Sequence, residues 1–121
     1  MIDHIIMNVS DVAASRLFYE KALAPLEYRV VMEMKGSCAF GILQKPDFFI
    51  KQGDPTTPPV HIAFTARDRA AVDACYEAAI AAGGTDNGKP GLREDYHPNY
   101  YGAFVLDGDG NNIEAVCHRP E

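Results

Sequence analysis

The sequence predicts an α+β fold in which two paired βαβββ modules form a cup-shaped sheet with the helices on the outside. The first observation is an internal repeat: a shift of 57 positions aligns residues 4–24 with 61–81 and gives nine identities over 21 positions. The second is that each copy opens with a strand pattern, followed by an amphipathic helix pattern and short apolar runs. Each helix covers one face of its sheet, so the uncovered faces most simply curve into a cup.

The first module covers about residues 1–52 of a single domain, 1–121. Alternation over 3–9 predicts a strand, and Ser10 or Asp11 can cap the helix that follows. Turn residues in "MKGS" and "QKPD" separate three further strand-like runs. These runs are 28–34, 37–43 and 48–52.

The second module covers about residues 60–121 and follows a linker, 53–59, that is rich in proline and glycine. Asp68 can cap its helix, and Gly83–Gly84 can end it. The stretch "GGTDNGKPGLREDYHPN" predicts a long polar loop, a length that is often functional. The final strands, "YGAFVL" and "NNIEAVCH", are joined by "DGDG", a strong hairpin signal.

Composition restricts the class of partner. A formal net charge of −6 argues against nucleic acid or an anionic membrane surface. No apolar segment approaches membrane-spanning length, and the N-terminus lacks a signal-peptide pattern. The three widely spaced cysteines fit buried free thiols in a reducing compartment. We therefore expect a cytoplasmic protein whose partner is a small-molecule substrate.

The cup is expected to contain two imidazoles and a carboxylate. If the purely apolar faces of the first strands contact the helices, then His4 with Asn8, and His61 with Thr65, point into the cup. Glu114 on the last strand joins them. A divalent cation (Fe²⁺, Mn²⁺, Ni²⁺ or Zn²⁺) would offset the cost of burying these groups, and two histidines with one carboxylate form a facial triad. The alternative is a salt bridge between Glu114 and an imidazole.

With these motifs the chain resembles the vicinal oxygen chelate superfamily, which contains glyoxalase I, extradiol dioxygenases, and fosfomycin- and bleomycin-resistance proteins. The motifs are "DHIIMNVSD" with "FYEKAL", then "VHIAF", then "DGDGNNIEAV". In metal-binding members two strand histidines and a last-strand glutamate coordinate the metal, and these positions match His4, His61 and Glu114. The resemblance also implies a homodimer, because paired modules often pack or exchange across a two-fold axis.

One departure from the resemblance concerns a fourth ligand. Glyoxalase I uses a second glutamate on the last strand of the first module, and aligning "AFGILQKPDFFI" with "AFVLDGDGNNIE" puts Ile50 opposite Glu114. Four-ligand glyoxalase I is therefore disfavoured. A three-ligand dioxygenase, thiol transferase or lyase is expected, and the alternative is a non-catalytic binding or sequestration protein.

Further polar and aromatic residues complete the predicted site. His97, Tyr100 and Tyr101, just before a strand that borders the cup, are candidate catalytic groups, since they could orient substrate or move protons. The alternative is a loop held by its own hydrogen bonds. Candidate substrate contacts are Asn8, Phe48, Thr65, Arg93 and Asn99.

Overall fold

The computed structural model describes all residues, 1–121, and confirms an α+β fold with two paired modules. The first module contains β1 (Ile5–Val9), α1 (Val12–Leu23), a 3₁₀ turn (Ala24–Leu26), β2 (Arg29–Met34), β3 (Ser37–Ile42) and β4 (Lys45–Gln52). The second contains β5 (His61–Thr65), α2 (Arg69–Ala81), β6 (Thr85–Leu92), β7 (Tyr101–Leu106) and β8 (Asn112–Cys117). The strand orders are β1-β4-β3-β2 and β5-β8-β7-β6, so the two sheets have the same topology.

Both helices begin at repeat-equivalent aspartates. The Asp11 carboxylate accepts from the Ala14 amide at 3.1 Å, and Asp68 accepts from Ala71 at 2.8 Å. Each carboxylate thus satisfies an amide that has no partner within its helix. Gly83 follows α2 with φ +106°, a conformation that disfavours other residues.

The strand register corrects the expected counterpart of Glu114. Ala63 of β5 pairs with Glu114, and the repeat equivalent of Ala63, Ile6, pairs with Phe49. Phe49, and not Ile50, therefore occupies the Glu114 position in the first module. The ungapped alignment matches an Ala-Phe pair in each module. Because these two pairs lie in different registers, the alignment is wrong by one residue.

The β3–β4 connection is shorter than predicted. Leu43 and Gln44, with φ 52° and 69°, form a two-residue turn, and β4 already begins at Lys45. Positive φ at both central residues is the geometry of a tight hairpin turn, which usually selects glycine or asparagine. The chain has neither residue at this turn, so the sequence predicts the turn at "QKPD", later in the chain than where the structure has it.

Residues 85–92 form an edge strand, β6, where a loop was expected. Its pairing with β7 is irregular at Gly88, and it contains Pro90 and Gly91. Proline is tolerated on an edge strand, while the irregular register hides the alternation that identifies strands. Of the predicted loop, only residues 93–99 lie between strands.

A single hydrophobic cluster of 22 buried residues spans both modules. α1 and α2 contact each other, and each also packs on its own sheet. Phe48 of β4 contacts Tyr19 of α1, and it also contacts Phe64 of β5 with ring centroids 5.3 Å apart. The helix-covered faces of both sheets thus share one core, and the opposite faces, which carry His4 and His61, point away from it.

Two smaller expectations concern cysteines and membrane spans. Cys38, Cys75 and Cys117 are buried and form no disulfide, as expected. Burial raises the pKa of the Cys75 thiol to about 12. Neither helix has the length and apolar character needed to cross a membrane.

Candidate metal centre

His61 and Glu114 form a pair on neighbouring strands of the second sheet. His61 Nε2 lies 2.8 Å from Glu114 Oε1. The Glu114 side chain is 1% exposed, whereas that of His61 is 52% exposed. The carboxylate is therefore enclosed by protein, and the imidazole lies at the surface, where the pair is open to an incoming ligand.

Tyr100 holds the other oxygen of Glu114. Its hydroxyl donates to Glu114 Oε2. Burial, together with this hydrogen bond and the carboxylate charge, raises the pKa of Tyr100 to about 12, so the phenol remains a donor at neutral pH. A Cβ at Gly102 would lie 3.2 Å from Oε2 and 3.2 Å from Cε1 of Tyr100. Glycine at this position leaves room for the pair.

His4 lies on the outer face of the first sheet. Its Nδ1 is 2.7 Å from Asp3 Oδ1, and its ring centroid is 5.4 Å from that of Phe49. No three His, Cys, Asp or Glu side chains of the chain come close enough together to hold a metal ion. Of the three predicted ligands, one chain thus brings together His61 and Glu114 only.

An aromatic and polar cavity of about 300 Å³ adjoins this pair. The ring centroid of Phe104 is 6.0 Å from that of His61 and 5.3 Å from the guanidinium carbon of Arg93. The residues that line the cavity are Asn87, Gly88, Arg93, Tyr96, Phe104 and Asn112. Sequence reasoning missed Phe104 and Asn112, although the pairing of β7 with β8 places Phe104 beside Glu114.

The loop of residues 93–100 is held partly by its own hydrogen bonds. The Asn99 amide donates to His97 Nδ1 at 3.1 Å, and the Arg93 amide donates to the Tyr100 carbonyl at 2.7 Å. His118, not included among the predicted site residues, packs edge-on against Tyr100 with centroids 5.1 Å apart. Of the predicted catalytic residues, only Tyr100 touches a predicted ligand. The His97 ring contacts His118, with ring centroids 5.6 Å apart.

Two predicted site residues point elsewhere. The Tyr101 hydroxyl donates to Asp73 of α2 at 2.7 Å, because Tyr101 lies on the helix-facing side of β7. Phe48 is 1% exposed and belongs to the core, because it lies on the helix-facing side of β4. The neighbouring Phe49 faces outward with His4, so Phe49 replaces Phe48 as the aromatic side chain on that face.

Asn8 and Thr65 lie on the outer faces of β1 and β5. The Asn8 amide donates to the Asp54 carbonyl at 3.2 Å, a contact that ties the linker to β1. Thr65 is exposed on the same side of its strand as His61. Both remain predicted substrate contacts, and Asn8 has a structural role as well.

The chain thus combines two βαβββ modules with a histidine and a glutamate on the second sheet whose side chains are of the kind that bind metals. A family model described as the Glyoxalase/Bleomycin resistance protein/Dioxygenase superfamily matches residues 1–115. The chain belongs to this superfamily. No functionally curated protein matches it significantly.

Solved structures agree with the assignment. A glyoxalase/bleomycin resistance protein from Albidiferax ferrireducens T118 is 28% identical, with a TM-score of 0.82 and 98% of each chain covered. A glyoxalase/bleomycin resistance protein/dioxygenase family enzyme from Burkholderia phytofirmans PsJN is 16% identical, with a TM-score of 0.76 and 98% of each chain covered. The fosfomycin resistance protein FosX from Mesorhizobium loti is 21% identical, with a TM-score of 0.72, covering 97% of this chain and 91% of FosX.

Proposed function

We propose that the protein is a metal-dependent enzyme that binds oxygen atoms of a small-molecule substrate at a two-histidine, one-glutamate centre. The observation that carries the proposal is the Glu114 carboxylate, which is almost fully buried, paired with His61 at 2.8 Å and held by Tyr100. A buried carboxylate beside a solvent-open imidazole has donors that suit divalent iron, manganese, nickel or zinc.

The third ligand, His4, is proposed to come from a second copy of the chain. His4 and its neighbour Ile6 lie on an outward sheet face, and Ile6 is 60% exposed. The matching face of the second module carries His61 and Ala63, also exposed. In a two-fold dimer, the first module of one copy can face the second module of the other, which gives two equivalent sites per dimer.

When bound, the cation supplies Lewis acidity, which polarises substrate oxygens and stabilises negative charge that develops on them. The chain's own residues prepare the site. Glu114 supplies the negative charge, and Tyr100 fixes its orientation by donating to the oxygen that does not contact His61. Such partners of a ligand raise metal affinity by restricting its motion.

Phe49 restricts the reaction type. Because it occupies the position that corresponds to Glu114, the first module contributes no carboxylate there. A three-ligand centre leaves more positions for substrate oxygens. We therefore favour a dioxygenase, thiol transferase or lyase type of reaction over that of four-ligand glyoxalase I. Because the fold is shared with a fosfomycin resistance protein, fosfomycin is one compound to test as a substrate.

The second candidate function is non-catalytic binding or sequestration of a small molecule. The observation in its favour is that Glu114 is already satisfied by His61 and Tyr100 within one chain. In that case the outward faces would form a binding cup whose ligand affinity is indifferent to chelators.

The experiment is elemental analysis of untagged protein after anaerobic reconstitution with each ion, beside His61→Ala and Glu114→Gln. His97→Ala is the matched control, because it removes an imidazole that contacts no predicted ligand. We expect about one ion per chain in the wild type and control and loss of metal in both ligand variants. Wild-type protein that binds none of these ions would contradict the enzyme proposal and favour the binding protein.

A further inference from the structure

Arg93 is a cation without an acidic partner, beside the candidate metal centre of an acidic protein. Its guanidinium lies over the Phe104 ring, and its one side-chain hydrogen bond goes to the Lys89 carbonyl at 2.7 Å. No carboxylate lies within salt-bridge distance of it, although the chain carries a formal charge of −6. Most of its five N–H donors thus have no protein acceptor.

The backbone around Arg93 holds the guanidinium in place. Cβ atoms at Gly88 and Gly91 would lie 3.3 and 3.1 Å from its terminal nitrogens, so glycine at both positions lets the group lie against β6. The Arg93 amide also bonds to the Tyr100 carbonyl, which joins the loop end that carries Arg93 to the residue that holds Glu114. The guanidinium is therefore positioned relative to the metal centre before any ligand arrives.

A second polar group without a partner lines the same cavity. Asn112 pairs with His61 in the sheet, and its side-chain oxygen is buried without a hydrogen-bond partner. This oxygen accepts hydrogen bonds, so a hydroxyl or N–H group of a ligand, or a water, would satisfy it, whereas the anion itself would be bound by the donors of Arg93. The cavity that Arg93 and Asn112 share, about 300 Å³, has room for a small polar group.

We propose that this cavity is the subsite for an anionic oxygen group of the substrate, a carboxylate or a phosphate, which Arg93 binds through two parallel hydrogen bonds. A guanidinium matches the geometry of two oxygens on one centre, whereas a lysine ammonium does not. The Phe104 ring contacts both Arg93 and His61, so the cavity lies next to the His61–Glu114 pair, within reach of a small substrate. The inference deepens the proposed function and rests on it for the position of the reacting oxygens.

The subsite can be tested on metal-free protein by NMR titration with acetate, inorganic phosphate and neutral acetamide. The resonances to follow are the Arg93 Nε–H group and the backbone amides of Gly88 and Phe104. We expect saturable shifts with acetate or phosphate and none with acetamide, and the tighter anion identifies the group. Arg93→Met should raise the anion Kd at least about ten-fold while keeping the aliphatic stem on Phe104, with Arg93→Lys intermediate.

Lys21→Met is the matched control, because it removes one positive charge from an exposed position on α1. Its anion Kd should stay within about two-fold of the wild type, since a distant exposed charge is screened. Unchanged anion affinity in Arg93→Met, or no saturable shift at Arg93 in the wild type, would overturn the subsite. Metal content separates the two proposals: Arg93→Met should retain wild-type metal, and anion binding by a protein that binds no metal would leave only the subsite standing.

Discussion

The two modules share one topology but differ in what they place on their outer faces. In both, an aspartate caps the helix, the first strand runs parallel to the last, and a histidine lies at the start of the first strand or directly before it. Opposite Ile6 the first module has Phe49, a half-buried aromatic, whereas opposite Ala63 the second has the buried carboxylate of Glu114. The duplicated backbone therefore sets the positions, and single residues decide which positions carry chemistry.

The difference extends to the supporting residues. The second module surrounds its carboxylate with Tyr100 and Gly102 and opens beside Arg93. The first module supports His4 only through Asp3 and Phe49. We infer that the second module holds most of the site and that the first contributes one ligand to the copy it faces.

The largest expected effect on stability is a difference between substitutions on the two faces of β4. Phe48 is 1% exposed and packs against Tyr19 and Phe64, so Phe48→Ala should lower the free energy of unfolding by about 3–5 kcal/mol. The matched variant Phe49→Ala should cost clearly less, because its ring lies on the outer face. Urea denaturation of both variants checks the contrast, and equal losses would contradict the assignment of the two faces.

A smaller effect is expected from removing the hydroxyl that holds Glu114. Tyr100→Phe should weaken metal binding roughly 10- to 100-fold while leaving the fold intact, because partners that orient ligands contribute about that much. Competition with a chelator of known affinity measures the change. Tyr96→Phe is the control, since its ring contacts Tyr100 but it forms no hydrogen bond to Glu114. Equal affinity in Tyr100→Phe and wild type would remove Tyr100 from the site.

The repeat-equivalent tyrosines of the two helices give a third contrast. The Tyr19 hydroxyl is buried and donates to Asp107 of the second module, so Tyr19→Phe should cost about 1–3 kcal/mol. Tyr76 is only partly buried, and Tyr76→Phe should cost less. Denaturation at neutral pH measures both. No loss of stability in Tyr19→Phe would show that the hydroxyl between the modules is unimportant, and a larger loss in Tyr76→Phe would contradict the expected order.

The Tyr19 contribution should also depend on pH. Burial, and then the Asp107 charge, raise the pKa of Tyr19 well above its ordinary value near 10. The folded state therefore holds this proton more tightly than the unfolded chain. The difference in stability between wild type and Tyr19→Phe should be constant below about pH 9 and shrink as the pH rises above 10. A difference that grows with pH would contradict the assignment.

The smallest expected effect concerns the buried thiol of α2. Burial raises the pKa of Cys75 to about 12, so little thiolate forms near neutral pH, and a disulfide reagent should react with the native protein only as fast as it opens. Kinetics of thiol modification in native and denaturant-unfolded protein check this. Fast native labelling at Cys75 would contradict its place in the core.

The fold could be predicted from sequence because the repeat, the capping aspartates and the strand alternation are local signals that agree. β6 could not, because its glycines and proline obscure the alternation and its pairing with β7 is irregular. Phe49 was not identified as the counterpart of Glu114 because the alignment of the two modules was wrong by one residue. A shift of one residue exchanges the two faces of a strand. The separation of His4 from His61 depends on how the modules pack, which no local pattern specifies.

The most direct test of the central claim is to mix two variants that each lack a different ligand. His4→Ala and Glu114→Gln should each bind no metal alone. If the site joins two copies, unfolding and refolding them together should restore about a quarter of wild-type metal, since roughly half of the dimers are mixed and each has one intact site. A mixture that stays metal-free, while co-refolded wild type regains its metal, would contradict a site shared between two chains.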